Sequence, residues 1–483
     1  MQFIVVLRVL GLLLMVFGLT FIPPWLVGSM MGDTDLRPFE YSFLITFVLG
    51  LLIWIPLRNH RRELKLRDGL LIVVLFWVVL GVIGAFPIYF QPMLHINFIQ
   101  AVFESVSGIT TTGATVLVGL DQLPRSLLFY RQQLQWLGGL GIIVLVVAFL
   151  PLLGVGGMQL YKAEISGPMK DNRLSGRISE TAKLLWLVYA GLTLLCAFLF
   201  KLEGMSWFDA VGHAFATLAT GGFSTHDASF GYFNSPTMEM TAVVFMLLGA
   251  TPMALHYLAL REFSLRAYLL SSEFKFFMLL VIVLYVLMVV TMLFDMPRIG
   301  WLHDFRWALF NLVSFITTTG FSVTDHTTWP YFLPVLLITT ALIGGCAGST
   351  SGGLKNVRLL LLTRQGLNEI RRLVHPHAEF VVKMGGRAIE PSVISAVWAF
   401  FSAYVFVFVL IFFAMMMTGL DMVSAYGAAI ATLTSLGPGL GTVASNFASV
   451  GNGTLIVSIV AMILGRLEIF TVLVLFLPMF WRR

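Results

Sequence analysis

The sequence has almost no cysteine. Cys196 and Cys346 are the only two among 483 residues. Both stand in apolar or Gly-rich surroundings, which excludes a disulfide framework and a thiolate metal site. Charge is scarce too: Asp, Glu, Lys and Arg make up 11% of the chain. Nine histidines show no ligand spacing, and His375-Pro-His377 reads as a cytosolic loop. There is no His/Glu metal motif, no Gly-x-Ser-x-Gly elbow and no pair of intramembrane aspartates, which argues against an intramembrane enzyme. What abounds is apolar surface. With 58% hydrophobic residues and a mean hydropathy of +0.91, the chain reads as a bundle of membrane helices.

Apolar runs of about 20 residues, enough to cross a bilayer, fall near 3–28, 39–57, 69–91, 129–152, 184–202, 237–260, 274–295, 330–362, 392–418 and 454–481. The first lacks a small-residue cleavage site and reads as a retained helix. Ten spans put both termini on one side. Of the 30 Lys and Arg, 23 lie on the side of the termini, six lie opposite, and Arg466 lies inside the last span. The positive-inside rule therefore places both termini in the cytoplasm. It also explains the net charge of +6 as membrane orientation rather than nucleic-acid binding.

Between alternate pairs of spans lie apolar segments of about 13 residues, too short to cross, each ending in a loop of Thr, Ser and Gly. The loops are Thr110-Thr111-Thr112-Gly113, Ala219-Thr220-Gly221-Gly222, Thr317-Thr318-Thr319-Gly320 and Thr434-Ser435-Leu436-Gly437. With the last glycine of each as origin, a hydroxyl stands two residues earlier every time. A branched aliphatic stands four earlier (Ile109, Leu218, Ile316, Leu433) and alanine twelve earlier (Ala101, Ala210, Ala308, Ala425). Sixteen earlier stand Asn97, Ser206, Asp304 and Asp421, all good helix N-caps. One Thr-rich turn means little. Four in matched positions, about 100 residues apart, define an internal repeat.

The expected fold is an all-α polytopic membrane protein with four pseudo-fourfold span–pore-helix–filter–span repeats plus two extra N-terminal transmembrane helices. The boundaries are 1–67 for the two-helix region, then 68–160, 161–270, 271–388 and 389–483 for the repeats. Bare backbone at membrane depth is tolerated where it lines a cavity. Four such loops around one axis offer carbonyl oxygens to a dehydrated cation, and half-helix C-termini favour positive charge. The loops contain no carboxylate, which argues against a divalent-cation channel. Asp227 and Asp325, five residues past their glycines, read either as solvated loop residues or as cation concentrators at the mouth.

These residues resemble the TrkH/TrkG family of bacterial potassium uptake proteins, relatives of KtrB and plant HKT transporters. Besides the loops, the resemblance rests on Phe129-Tyr130-Arg131-Gln132, Trp136-Leu137-Gly138-Gly139, the run Gly154 to Tyr161, Gly222 to His226, Gly344 to Thr350, Leu436 to Gly441 and Gly465-Arg466-Leu467-Glu468. It covers essentially the whole chain. It implies K⁺ as the permeating ion, with no organic cofactor on this chain. It further implies uptake across the bacterial inner membrane, a homodimer, and a cytosolic TrkA-type nucleotide-binding subunit. Transport is then either passive or coupled, as in symport with H⁺ or Na⁺. Serine in place of a filter glycine goes with sodium conduction in HKT-type relatives; all four origins here are glycine, which favours potassium. Ser351 stands where the family usually has glycine, and Thr251-Pro252-Met253 departs from the family's inner span, where Pro252 can bend the helix. The alternatives are a Na⁺-conducting relative and a secondary transporter of a small organic solute. The latter needs midplane polar residues, for which only Arg466 and Glu468 qualify.

The run Gly344, Gly345, Cys346, Ala347, Gly348, Ser349, Thr350, Ser351, Gly352, Gly353 interrupts the second span of the third repeat. Its glycines are poor helix formers, and the 13 residues before it cover only about 20 Å, so it lies at membrane depth. It reads as a loop that blocks the path below the filter, or as tight packing through small residues. Arg466 is expected beside it, bonding its carbonyls and repelling cations. A bare Arg466–Glu468 pair is not expected, because residues two apart do not face each other on a helix.

Overall fold

A computed structural model describes residues 2–60, 65–148, 178–295 and 301–482. The run Gly154 to Tyr161 and the basic residues at 162–177 lie outside the described residues. Most of the described residues are helical; one two-stranded hairpin pairs Lys383–Met384 with Arg387–Ala388.

Six described helices are long and apolar enough to cross a membrane: Phe3–Met31, Arg37–Leu57, Arg67–Tyr89, Ala182–Leu202, Ser272–Phe294 and Pro391–Met417. Counting two bent pairs as spans raises this to eight, not the ten expected. The physical reasons are specific. Arg125–Ala148 is long enough, but its first half carries Arg131, Gln132, Gln133 and Gln135. Residues 330–362 are not one helix: Leu333–Thr340 ends, irregular chain follows, and helix resumes at Asn356. Residues 237–260 bend by 100° between Gly249 and Met253, where Pro252 has no amide hydrogen to donate. The last span bends by 104° after Arg466. That places Arg466 at the end of a helix rather than within one, with Glu468 and Ile469 both left-handed at the corner.

The outer faces are oily. Leu52, Leu194, Phe294 and Phe406 are each more than half exposed, which suits lipid rather than water. Inside, helices approach closely where side chains are small. A Cβ on Gly11 would lie 2.9 Å from Gly50 O, and one on Gly50 would lie 2.7 Å from Gly11 O. The helices Phe3–Met31 and Arg37–Leu57 therefore touch backbone to backbone, as small residues allow in membranes.

At the centre lie four short helices: Phe98–Ile109, Trp207–Leu218, Trp301–Ile316 and Met422–Leu433. Ala101, Ala210, Ala308 and Ala425 are fully buried in them. Three start at the expected caps. Asn97 accepts from Gln100 N at 2.9 Å, Ser206 from Asp209 N at 3.0 Å, and Asp421 from Ser424 N at 3.2 Å. The third does not: it begins at Trp301, so Asp304 is its fourth residue rather than the one before it.

Candidate functional site

Each short helix ends in the same way. The residue after its cap is left-handed although it carries a side chain: Thr111 (φ 56°), Thr220 (50°), Thr318 (56°) and Ser435 (58°). Its amide donates three residues back, to Gly108, Thr217, Phe315 and Thr432 O. The next amide donates five residues back, to Ser107, Ala216, Ser314 and Ala431 O at 2.8–2.9 Å. This pair of bonds is the Schellman motif, which usually carries glycine at the left-handed position. A β-carbon there costs about 1–2 kcal/mol, so each helix holds its hydroxyl residue in a strained pose.

Two residues further come Gly113, Gly222, Gly320 and Gly437, with φ of 81°, 78°, 82° and 96°. A Cβ on Gly113 would lie 2.1 Å from Gly221 O, one on Gly222 2.0 Å from Thr319 O, one on Gly320 2.0 Å from Leu436 O, and one on Gly437 2.7 Å from Thr112 O. The first loop abuts the second, the second the third, the third the fourth and the fourth the first. The four loops close into a ring, and glycine is required at each seam for space as well as for φ.

The hydroxyls brace the ring unequally. Thr110 pairs with Thr112, and Thr317 with Thr319, both at 2.8 Å. Thr434 donates to Ile430 O at 2.8 Å. The second loop has Ala219 and Gly221 in the equivalent places, and Gln135 substitutes for the missing hydroxyls. Behind the first and second loops, Arg131 and Glu104 form an ion pair at 2.7 Å, 1% and 0% exposed. Glu104 also accepts from Val116 N, and the Arg131 guanidinium lies 4.1 Å from the Phe223 ring centre. None of Gln135, Glu104 or Arg131 was expected at the ring, because their partners stand far off in sequence.

The Gly-rich run lies directly beside the ring. Gly353 N donates to Thr434 O at 3.1 Å. Gly352 N donates to Thr318 Oγ1 at 2.7 Å, and Ser351 Oγ lies 3.2 Å from the same hydroxyl. Thr350 Oγ1 lies 3.3 Å from Thr220 Oγ1 and donates to Leu218 O at 2.9 Å. On the other side Cys346 N donates to Ala250 O at 2.9 Å, in the bend at Pro252. Ala347 N donates to the Glu273 carboxylate at 2.8 Å, Ser349 Oγ to Cys346 O at 2.6 Å, and Met253 N to Gly348 O at 3.4 Å. Gly344, Gly348 and Gly353 are left-handed within the run. Arg466, 3% exposed, donates to Thr350 O at 2.9 Å and to Gly138 O at 3.2 Å. Glu468 pairs with Arg358 at 2.6 Å. Lys355 is likewise buried and donates to Ser351 O.

Asp227 and Asp325 are exposed, and both cap turns. Asp227 accepts from Gly119 N and Leu120 N at 3.1 and 2.9 Å, and Asp325 from Thr327 N at 2.9 Å. Nearby on the same face, His226 bridges Asp121 and Asp209. Its ring lies flat on Tyr232, 3.4 Å between centres. Burial works against the charged imidazole, but the Asp209 and Asp121 carboxylates outweigh it and raise the pKa of His226 above its ordinary value. Burial likewise opposes the Asp209 charge, and hydrogen bonds from His226, Ser206 and Thr225 more than offset it, holding that carboxyl well below its usual range.

A helical bundle with a lipid-facing exterior and four backbone loops meeting at its centre defines a membrane transport protein. Residues 38–483 match the TrkH family, described as cation transport proteins, and the chain belongs to that family. It is 50% identical, over the full length of both chains, to the Trk system potassium uptake protein TrkH of Escherichia coli K12. It is 39% identical to TrkG of the same organism over 99% of this chain and 98% of that one. Among solved structures it is similar to the potassium transporter TrkH from Vibrio parahaemolyticus, with a TM-score of 0.92 and 48% identity over all of both chains.

Proposed function

We propose that this chain takes up potassium, with the ring of loops as its selectivity filter. The carrying observation is the closed series of glycine–carbonyl seams, which brings four stretches of main chain to one centre. Backbone oxygens of residues 110–113, 219–222, 317–320 and 434–437 then replace the hydration shell of K⁺. The left-handed hydroxyl residues add ligands: Thr111 and Ser435 hydroxyls are buried without a hydrogen-bond partner among the described residues. The half-helix C-termini supply the negative end of four dipoles.

Residues 344–353 are the gate, held closed by Arg466 through the Thr350 carbonyl. The repeats 68–160, 161–270, 271–388 and 389–483 each give one loop, after a two-helix region at 1–67. The protein sits in the bacterial inner membrane with both termini in the cytoplasm. It acts as a homodimer with a cytosolic TrkA-type nucleotide-binding subunit. The names of the relatives, which place them in a potassium uptake system, support this reading.

The test is ⁸⁶Rb⁺ uptake into proteoliposomes with competing Na⁺, for wild type and Gly113→Ser. Wild type is expected to take up Rb⁺ with little effect of Na⁺. The serine Cβ must displace Gly221 O, so discrimination is expected to fall at least about tenfold, the equivalent of about 1.4 kcal/mol. Equal competition by Na⁺ in wild type would overturn the potassium assignment, and absence of any cation flux would overturn the transport reading.

A further inference from the structure

Two adjacent carbonyls of the Gly-rich run are each held by a buried cation from a different element. Arg466, at the end of the helix Asn452–Arg466, donates to Thr350 O at 2.9 Å. Lys355 donates its ammonium to Ser351 O. Lys355 is 8% exposed and stands just before the helix Asn356–Val374. Its backbone is left-handed, with φ 75°, a conformation that side chains with a β-carbon resist. The neighbouring bonds impose that pose. Asn356 N donates to Gly345 O at 3.0 Å, and Asn356 Nδ2 donates to Glu273 O at 3.2 Å.

Ser351 joins this cation to the filter. Its hydroxyl accepts from Gly345 N at 2.9 Å, closing the run on itself, and lies 3.2 Å from Thr318 Oγ1 of the third loop. The run is therefore tied to the ring through the Ser351 side chain and to the following helix through the Ser351 carbonyl.

We propose that Lys355 is a second positioning cation of the gate, acting through Ser351 as Arg466 acts through Thr350. The inference rests on residues 344–353 being the gate. An unheld carbonyl beside the path would attract the permeating ion. A fixed ammonium satisfies that carbonyl and presents like charge to a cation in the same space. Opening must break both cation–carbonyl bonds together, so the closed state is favoured more steeply than either bond alone provides.

The experiment compares basal ⁸⁶Rb⁺ flux of purified full-length wild type, Lys355→Met, Lys355→Arg, Ser351→Gly and a deletion of 347–352 in proteoliposomes. Lys355→Met is expected to raise basal flux about tenfold, the order set by one charge-assisted hydrogen bond. Lys355→Arg restores low flux, because the charge and donor remain. Ser351→Gly keeps the carbonyl but loses the hydroxyl's contacts with Thr318 Oγ1 and Gly345 N, leaving Gly352 N as the bond to Thr318, and raises flux by about threefold. Competition by Na⁺ stays as in wild type throughout, which a general loosening of the filter would not allow. If Lys355→Met does not fold, Lys355→Gln takes its place: raised flux beside low flux in Lys355→Arg carries the proposal, and wild-type flux overturns it. The proposal is overturned if the deletion raises flux while Lys355→Met and Ser351→Gly do not, or if Lys355→Arg leaks as much as Lys355→Met. A deletion that fails to raise flux overturns the gate reading itself.

Discussion

The side-chain amide of Gln135 grips the second loop on both sides of Gly222. Its Nε2 donates to Gly221 O at 2.5 Å, and its Oε1 accepts from Phe223 N at 3.1 Å. A side chain at 221 would collide with it, the Gln135 Cδ lying 2.5 Å from the Cβ position. This accounts for glycine at 221, where the first and third loops have threonine. Gln135→Leu removes both bonds and leaves two buried backbone groups unmet. Two neutral bonds at about 1 kcal/mol each predict up to roughly a thirtyfold loss of Rb⁺-over-Na⁺ discrimination with flux retained. Uptake with competing Na⁺ measures it, and unchanged competition would show that the second loop stands without this brace.

Arg131 and Glu104 carry opposite charges away from both water and lipid. A buried pair of this kind contributes little net energy, but losing one partner strands the other. Arg131→Met is therefore expected to destabilise the protein by about 3–5 kcal/mol. Arg131→Met combined with Glu104→Gln is expected to recover part of that loss. Thermal unfolding in detergent checks both. Additive effects of the two substitutions would show that the charges are not coupled.

His226 has its pKa raised in the folded protein, so its charged form favours folding. That stabilisation is complete below pH 6.5, the ordinary imidazole value. It is lost as pH rises through the raised folded value. The unfolding temperature of wild type is expected to fall by on the order of 1–2 °C across this window. His226→Gln is expected to flatten the profile. A wild-type profile that rises with pH over the same range would contradict the arrangement of Asp121, His226 and Asp209.

Much of this site could be read before the structure. The common offsets of glycine, hydroxyl, aliphatic and alanine depend on local chain geometry, and local geometry repeats when the same turn is built four times. The Schellman ending was not legible, because Thr111 and its counterparts occupy a region that β-branched residues avoid. Only the packing around them holds them there. Asp304 failed as a cap for a related reason: cap propensity was outweighed by three more residues that prolong the helix. Gln135, Glu104, Arg131, Lys355 and Glu273 were invisible as site residues. Each acts on a partner remote in the chain, and a lone polar residue in an apolar segment does not name its partner. The interruption at 344–353 was legible from glycine density, whereas the corner after Arg466 depends on the left-handed Glu468 and Ile469, positions where no glycine marks the turn.

The circular seating of the four glycines has a mechanical corollary. Each presses on its successor, and the last presses on the first, so no seam can widen without a shift passing around the whole circuit. Stretches of polypeptide about a hundred residues apart therefore behave as one stiff hoop. Paired substitutions at neighbouring seams should depart from simple addition of the single effects. Tolerance to change at any one seam is set by the other three, which makes the circuit, rather than the individual loop, the unit that holds its bore.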